Sequence, residues 1–364
     1  MIEAVLKILD IYILKKFLGT FFFAIILILS ICVVFDMAEK LDDFLNNEVT
    51  LRKIVFDYYL NFIPYFAYMF TPLFVFISVI FFTSKMAYQS EIIAILSNGV
   101  SFRRLTVPYM ISAAVISLFS FVLGSYIIPP ANKTRLDFEK TYISSRKERG
   151  ASNIHMQIEP GVFVYVSRYS SLRDVGDGFS MEIFDGKELV TKLAAREAVF
   201  NADSGTWTLK KYVRHDFVSP EVQVITEGEQ IDTTLKMLPS DLSEGLKFYE
   251  TMTSAELNQY IDEQRQRGVG SIEDFLIEKH KRIASPFSAF ILSIIGISLA
   301  SRKVRGGMGL HIGVGIALSF GYILFMTIST TFAVNGNTPE WLAVWIPNFV
   351  FAAIAAVLYY KAPK

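Results

Sequence analysis

The chain contains a single cysteine, Cys32, inside an apolar run. One thiol forms no internal disulfide and builds no metal site, so its plain role is a small apolar side chain in a helix. Net charge is missing as well, since 35 Lys and Arg balance 35 Asp and Glu. Without a basic excess there is no field to draw nucleic acid, and no nucleic-acid partner is expected. No G-x-x-x-x-G-K-[ST] loop occurs; the glycines at 306–309 lack the lysine and lie between two apolar runs. ATP hydrolysis by this chain is therefore not expected, and no cofactor is expected on it. G-x-S-x-G, H-E-x-x-H and paired-cysteine signatures are absent. His155, His215, His280 and His311 form no ligand pair, so surface or interfacial roles are expected for them. Charged residues hardly enter the middles of the apolar runs, which weighs against a proton- or ion-driven carrier.

Apolar surface is what the chain has in excess. Of 364 residues 52% are hydrophobic and 14% aromatic, and the mean hydropathy is +0.40. The apolar residues fall in blocks of membrane-spanning length. Six spans are predicted, at about 17–35, 58–83, 107–128, 283–300, 310–334 and 341–360. Pro64 and Pro72 interrupt the second, Pro129-Pro130 end the third, and Pro286 opens the fourth; neighbouring helices can satisfy the carbonyls such prolines free. In the fifth, Gly309, Gly313, Gly315 and Gly321 would let another helix approach closely. Lys7, Lys15 and Lys16 before the first run resemble the start of a signal peptide. That run exceeds a typical h-region and no small-residue cleavage site follows, so a retained first span is expected.

Between the third and fourth spans the chain turns hydrophilic, over a stretch long enough for a domain with its own core. Val162–Val166, Phe179–Phe184, Ala198–Phe200, Thr206–Leu209, Val222–Ile225 and Gln230–Leu235 read as short strands. Turns at Asp185-Gly186-Lys187 and Asn201-Ala202-Asp203-Ser204-Gly205 punctuate them, a pattern that suggests a sandwich or a jelly roll. Helices are predicted over Thr253–Arg267, with Thr253 or Ser254 as N-cap, and over Ser271–Arg282. The predicted fold class is an α-helical membrane protein with six transmembrane helices and an inserted extracytoplasmic all-β, jelly-roll-like domain. Its divisions are 1–128 (spans 1–3), 129–252 (β-jellyroll), 253–282 (helical connector) and 283–364 (spans 4–6).

Orientation follows from the basic residues. Lys7, Lys15, Lys16, Lys85, Arg103, Arg104, Arg302, Lys303, Arg305, Lys361 and Lys364 fall on one side of a six-span chain. The acidic 36–53 segment and Glu340 fall on the other. By the positive-inside rule both termini are cytoplasmic and the β domain is periplasmic, in a multi-pass protein of the bacterial inner membrane.

On the basic side lies Ser84–Arg104, with a short helix predicted at about 86–98. Ile92, Ile95 and Leu96 share one face of it, and Gly99 stands where a left-handed residue would end it. Such a helix, held against a membrane between two spans, can receive force from a separate ATPase. On composition alone, a connecting loop with one helical turn is the simpler account.

Taken together, several motifs resemble the LptF/LptG family of lipopolysaccharide-export permeases. Leu9-Asp10-Ile11-Tyr12-Ile13 is similar to the family's L-D-x-Y-I opening, which tips the resemblance toward the LptG-like member. Ser90-Glu91-Ile92-Ile93-Ala94 with Ser97-Asn98-Gly99-Val100-Ser101 resembles its coupling-helix motif. Pro129 with Arg135, Gly161–Val166, Pro286 and the stretch from Gly309 to Phe320 extend the likeness over nearly the whole chain. The resemblance implies an ABC exporter: a cytoplasmic ATPase dimer that uses ATP, a second LptF/LptG-type permease, and periplasmic jellyroll proteins of the LptC/LptA type. It implies that Ser90, Glu91, Ile92, Ile95, Leu96 and Gly99 meet the ATPase. It also implies that Arg135, with Lys133, faces lipid phosphates. Family LptG members carry several lysines just after span 1, where this chain has Asp36, Glu39, Asp42 and Asp43 around Lys40 alone.

Acyl-chain burial is worth about 0.8 kcal/mol per methylene, so a multi-chain lipid needs an apolar chamber in place of the bilayer. Phe21, Phe22, Ile25, Phe70, Phe74, Ile323 and Phe325 are expected to line it, although taken singly each more readily faces lipid or packs against a helix. An exporter of another amphiphilic envelope lipid, and an envelope sensor or scaffold, are the alternatives. The short inner segments leave the sensor little room for a signalling output.

Overall fold

The computed structural model describes residues 7–143, 151–170, 173–202, 204–219, 222–242, 248–267, 272–302, 307–334 and 338–362. They form two compact units. One is built from described residues within Met1–Leu41, Leu51–Asn132 and Leu276–Lys364, the other from Asp42–Thr50 and Lys133–Phe275.

Among the described residues the α-helices are, in chain order, α1 (Ile8–Asn46), α2 (Leu51–Tyr88), α3 (Glu91–Ser97), α4 (Phe102–Tyr142), α5 (Ser254–Arg267), α6 (Glu273–Ala300), α7 (Gly307–Val334) and α8 (Glu340–Tyr360). Six of them, all but α3 and α5, are long and apolar enough to cross a membrane. About 20 residues suffice for a bilayer, yet α1, α2 and α4 run to 39, 38 and 41 residues. Each therefore continues beyond its predicted span. The third span was expected to stop at Pro129-Pro130, but α4 passes through both prolines. A π-helical turn, Leu123–Ile127, lies just ahead of them, with the Ile128 amide donating to the Leu123 carbonyl. That wider turn relieves the clash between the proline rings and the preceding carbonyls.

The helical unit is held by apolar rows with a few polar ties. Ile13, Phe17, Phe21, Ile25 and Leu29 recur every four residues along α1, and all are buried. The flanking Phe23, Ile26, Val34 and Phe35 are exposed, so α1 meets its bundle along one edge. Phe17 packs on Phe82 of α2 (ring centroids 5.6 Å apart), and Phe82 stacks on Tyr109 of α4 at 5.2 Å. Of the glycines expected to admit a neighbour, Gly315 does so: a β-carbon there would lie 2.4 Å from Ile80 of α2. Gly309, Gly313 and Gly321 have open space instead. Asn348 of α8 accepts a hydrogen bond from the Tyr322 hydroxyl of α7 and donates to the Ala284 carbonyl of α6, both at 2.9 Å. One buried side chain thus ties three of the membrane-length helices together.

The second unit carries six strands: β1 (Ala151–Glu159), β2 (Val162–Ser170), β3 (Val175–Asp185), β4 (Glu188–Asn201), β5 (Thr206–Ser219) and β6 (Val222–Thr233). They form one antiparallel sheet in sequence order, an up-and-down meander. The predicted turns hold at Gly186 and Gly205, with φ of +61° and +65° (Asp203 lies outside the described residues); a further turn puts Gly161 at +79°. β1 was not foreseen, and β4 and β5 are much longer than their sequence signals. The core of this unit gathers Val166, Tyr169, Phe179 and Trp207, whose indole donates to the Met237 carbonyl at 2.9 Å.

α5 starts with a capping box. Thr253 Oγ1 accepts from the Glu256 amide at 3.3 Å, and Glu256 Oε2 accepts from the Thr253 amide at 2.8 Å. The expected N-cap is therefore Thr253. That amide, with the Thr253 hydroxyl second, holds the Glu256 carboxyl below its usual range. A carboxyl depressed on folding stabilises fully above its unfolded pKa, about 4.3, and the contribution fades as pH falls through the folded value. Thr253→Ala should cost about 1 kcal/mol, read as faster amide exchange in the first turn of α5. The wild-type cap should loosen in the same assay once the medium is taken below that pH.

Candidate functional site

The short segment between α2 and α4 is bracketed by two left-handed residues, Ser90 at φ +62° and Gly99 at φ +83°. They separate α3 from the long helices on either side. Gly99 thus stops the helix as its position suggested, while α2 runs on to Tyr88 and leaves α3 shorter than the predicted 86–98. Ile92 is fully buried, and Ile95 and Leu96 pack against the same bundle core. Ile93, Ala94, Ser97 and Asn98 are exposed. The i, i+3, i+4 face is therefore the attached face, so Ile92, Ile95 and Leu96, expected from the family resemblance to meet an ATPase, pack on the bundle instead, and the opposite face is open.

Three residues that the motifs did not single out for a role complete this corner. Asp10, 1% exposed, receives both guanidinium nitrogens of Arg104, Nη1 to Oδ1 at 2.7 Å and Nη2 to Oδ2 at 2.5 Å. The Lys7 amide adds a third donor to Oδ2 at 2.8 Å. Tyr12, two positions on, donates its hydroxyl to Glu91 Oε2 at 3.0 Å, and Lys16 Nζ sits 5.2 Å from the centre of the Tyr12 ring. The opening of α1 is thus joined to the starts of both α3 and α4. In the sequence Asp10 and Arg104 are 94 residues apart. The available signal was an aspartate in the first turn of a long apolar helix, with an arginine pair just beyond Gly99.

The expected lipid contacts are placed differently from one another. Phe21 and Ile25 are packed inside the bundle as members of the α1 row, at 0% and 4% exposure, and present no wall there. Phe22 keeps 36% exposure and meets Phe119 edge-on at 5.7 Å. Phe70 and Phe74 are half-buried at the end of a run of rings, Tyr58, Phe62, Phe66, Phe70 and Phe74, that repeats every four residues along α2. Ile323 and Phe325 of α7 are half-buried against the core.

The cations are engaged as well. Lys40 Nζ lies 2.5 Å from Asp36 Oδ1 and bonds the Tyr58 hydroxyl, while Tyr59 donates to Asp36 Oδ2 at 3.2 Å. The acidic residue after span 1 thus partly cancels the one lysine there. Lys133 is exposed, whereas Arg135 is 8% exposed with Nη1 3.8 Å from Glu139 Oε1.

A bundle of six membrane-length helices, interrupted between the third and fourth by an antiparallel β domain and carrying a short helix strapped between the second and third, defines a multi-pass membrane protein of the permease type. The family described as lipopolysaccharide export system permease LptF/LptG matches residues 11–361, and the chain belongs to that family. Among characterised relatives it is similar to the lipopolysaccharide export system permease protein LptG of Haemophilus influenzae, 22% identical over 348 residues, which cover 94% of this chain and 95% of the relative. It is also similar to an uncharacterized protein of Rickettsia prowazekii, 23% identical over 295 residues, 76% of this chain and 74% of that one.

Ile92 is the anchor that decides whether α3 stays on the bundle. Ile92→Ala removes most of a buried side chain and should weaken the attachment by about 2–4 kcal/mol. Faster hydrogen exchange across 91–99, with the long helices unchanged, is the expected result in the detergent-solubilised chain.

Proposed function

We propose that the chain is the transmembrane permease subunit of an ABC exporter that draws lipopolysaccharide from the inner membrane and passes it into its own β domain. The observation that carries this reading is α3: one face buried in the bundle through Ile92, the other exposed between two long spans. A partner pressing on that face acts on α2 and α4 at once. With no phosphate-binding loop in the chain, the energy comes from a separate cytoplasmic ATPase dimer, and the chain itself is not an enzyme. The distribution of basic residues supports cytoplasmic termini, an inward α3 and a periplasmic β domain.

A second LptF/LptG-type permease completes the chamber. The exposed edges of α1 and α7, including Phe23, Ile26, Phe320 and Leu324, supply apolar surface for it and for acyl chains. Phe22, Phe70, Phe74, Ile323 and Phe325 keep exposed area for that purpose, while Phe21 and Ile25 act from behind as packing. Both the L-D-x-Y opening and the Haemophilus relative favour the LptG-like place in the pair. From the β domain the lipid moves on to periplasmic jellyroll proteins of the LptC/LptA type.

The pairing of Lys40 with Asp36 favours one second reading, export of another amphiphile with a less anionic headgroup. Mass spectrometry of the lipid copurifying with the complex separates the two. Glu91→Lys reverses the charge at the start of α3 and should abolish ATP-dependent lipid release from proteoliposomes while the chain still inserts. Undiminished ATPase association and release in that variant would sink the coupling role.

A further inference from the structure

We infer that Asp10 and Arg104, assisted by Tyr12 and Glu91, form a clasp that carries displacement of α3 into the first span; this rests on the reading of α3 as the coupling helix. The bundle makes the need plain. α1 packs on its neighbours mainly along one edge, where the buried row Ile13, Phe17, Phe21, Ile25 and Leu29 is flanked by half-buried Leu18 and Ile28, while Phe23, Ile26, Val34 and Phe35 are exposed. A row of apolar contacts resists separation, but it permits a helix to slide or roll because no contact is directional. Asp10 heads the same row, buried to 1% exposure, and its contact is directional.

The guanidinium fork meets both carboxylate oxygens, at 2.7 and 2.5 Å, so it fixes orientation as well as distance. Parting the pair would leave a carboxylate desolvated without its counter-charge, so the joint holds while other contacts shift. Arg104 is in the first turn of α4 and is capped there by Ser101, whose hydroxyl accepts the Arg104 amide at 3.3 Å. The fork is therefore rooted in the helix that α3 leads into. Tyr12 lies about 200° around α1 from Asp10 at 100° per residue, and it holds Glu91 at the start of α3. α1 is thus gripped at its opening from two directions, by the residues flanking the segment on which the ATPase would push. Asp10, Tyr12 and Arg104 are positioning residues: the force passes through them, and none needs to touch lipid or nucleotide.

The test uses the complete complex of permease pair and ATPase in proteoliposomes loaded with lipopolysaccharide, and reads ATP hydrolysed per lipid released. Asp10→Asn and Tyr12→Phe keep shape and remove the charge or the hydroxyl. Asp10→Asn should raise the ATP spent per lipid several-fold with the KM for ATP unchanged, and Tyr12→Phe should do so to a smaller extent. The exchange Asp10→Arg with Arg104→Asp should recover most of the coupling lost by either single reversal. A wild-type coupling ratio in Asp10→Asn would overturn the clasp. So would loss of coupling only in step with loss of ATPase copurification and a lowered melting midpoint, which would mark the pair as structural. If the wild-type chain brings down no ATPase at all, the permease reading fails first and the clasp with it.

Discussion

The first helix meets the rest of its bundle mainly along one edge, and much of the molecule's behaviour follows from that seam. Asp10, Ile13, Phe17, Phe21, Ile25 and Leu29 are spaced three or four apart and are all buried. In hydrocarbon an isolated helix already satisfies its own backbone, so it loses little by standing apart from its neighbours. The seam needs only enough packing to set α1 in register. Phe23, Ile26, Val34 and Phe35 on the other side of the helix stay exposed.

Polar contacts stand where this helix leaves its most apolar stretch. Asp10 meets Arg104 at one end, and Asp36 meets Lys40, Tyr58 and Tyr59 at the other. Asp10 and Asp36 are about 39 Å apart along an ideal helix at 1.5 Å per residue, close to the thickness of a bilayer with its interfacial zones. Charged residues are tolerated near the ends of such a stretch because partners are at hand, whereas the same residues at mid-span would be costly. Among the described residues, the hydrogen bonds within the apolar middle are those of hydroxyls and of Asn348.

The β unit is organised by other forces. Water is available at its surface, so burial of Trp207, Phe179, Tyr169 and Val166 drives its folding in the ordinary way. Each strand pairs with its neighbour in the chain, which keeps every connection local. A meander of this kind forms without threading, and so it can be inserted between two spans with little demand on them.

Runs of apolar length, the balance of basic residues between loops, the glycine and asparagine turns and the threonine cap were all legible in the chain, because each is a local property. Element lengths were less so: α4 continues past Pro129-Pro130 on account of a π turn that no composition rule announces. β1 was the strand not foreseen, although Asn153–Glu159 alternates polar and apolar residues strictly, the period of a half-buried strand. Spacing showed that Ile92, Ile95 and Leu96 share a face of α3, but only the bundle decided that this face turns inward and that Ile93, Ala94, Ser97 and Asn98 lie outward.

By itself, then, the chain's order of residues determined six spans, a β insertion and a short helix between the second and third, since hydrophobicity and turn chemistry act over a few neighbours. Tertiary structure alone decided that Phe21 and Ile25 face inward, that Lys40 is answered by Asp36, and that Asp10 grips an arginine 94 residues away. Such pairings depend on which helix faces are brought together when the bundle closes. Packing in three dimensions sets that, and spacing along one chain does not encode it.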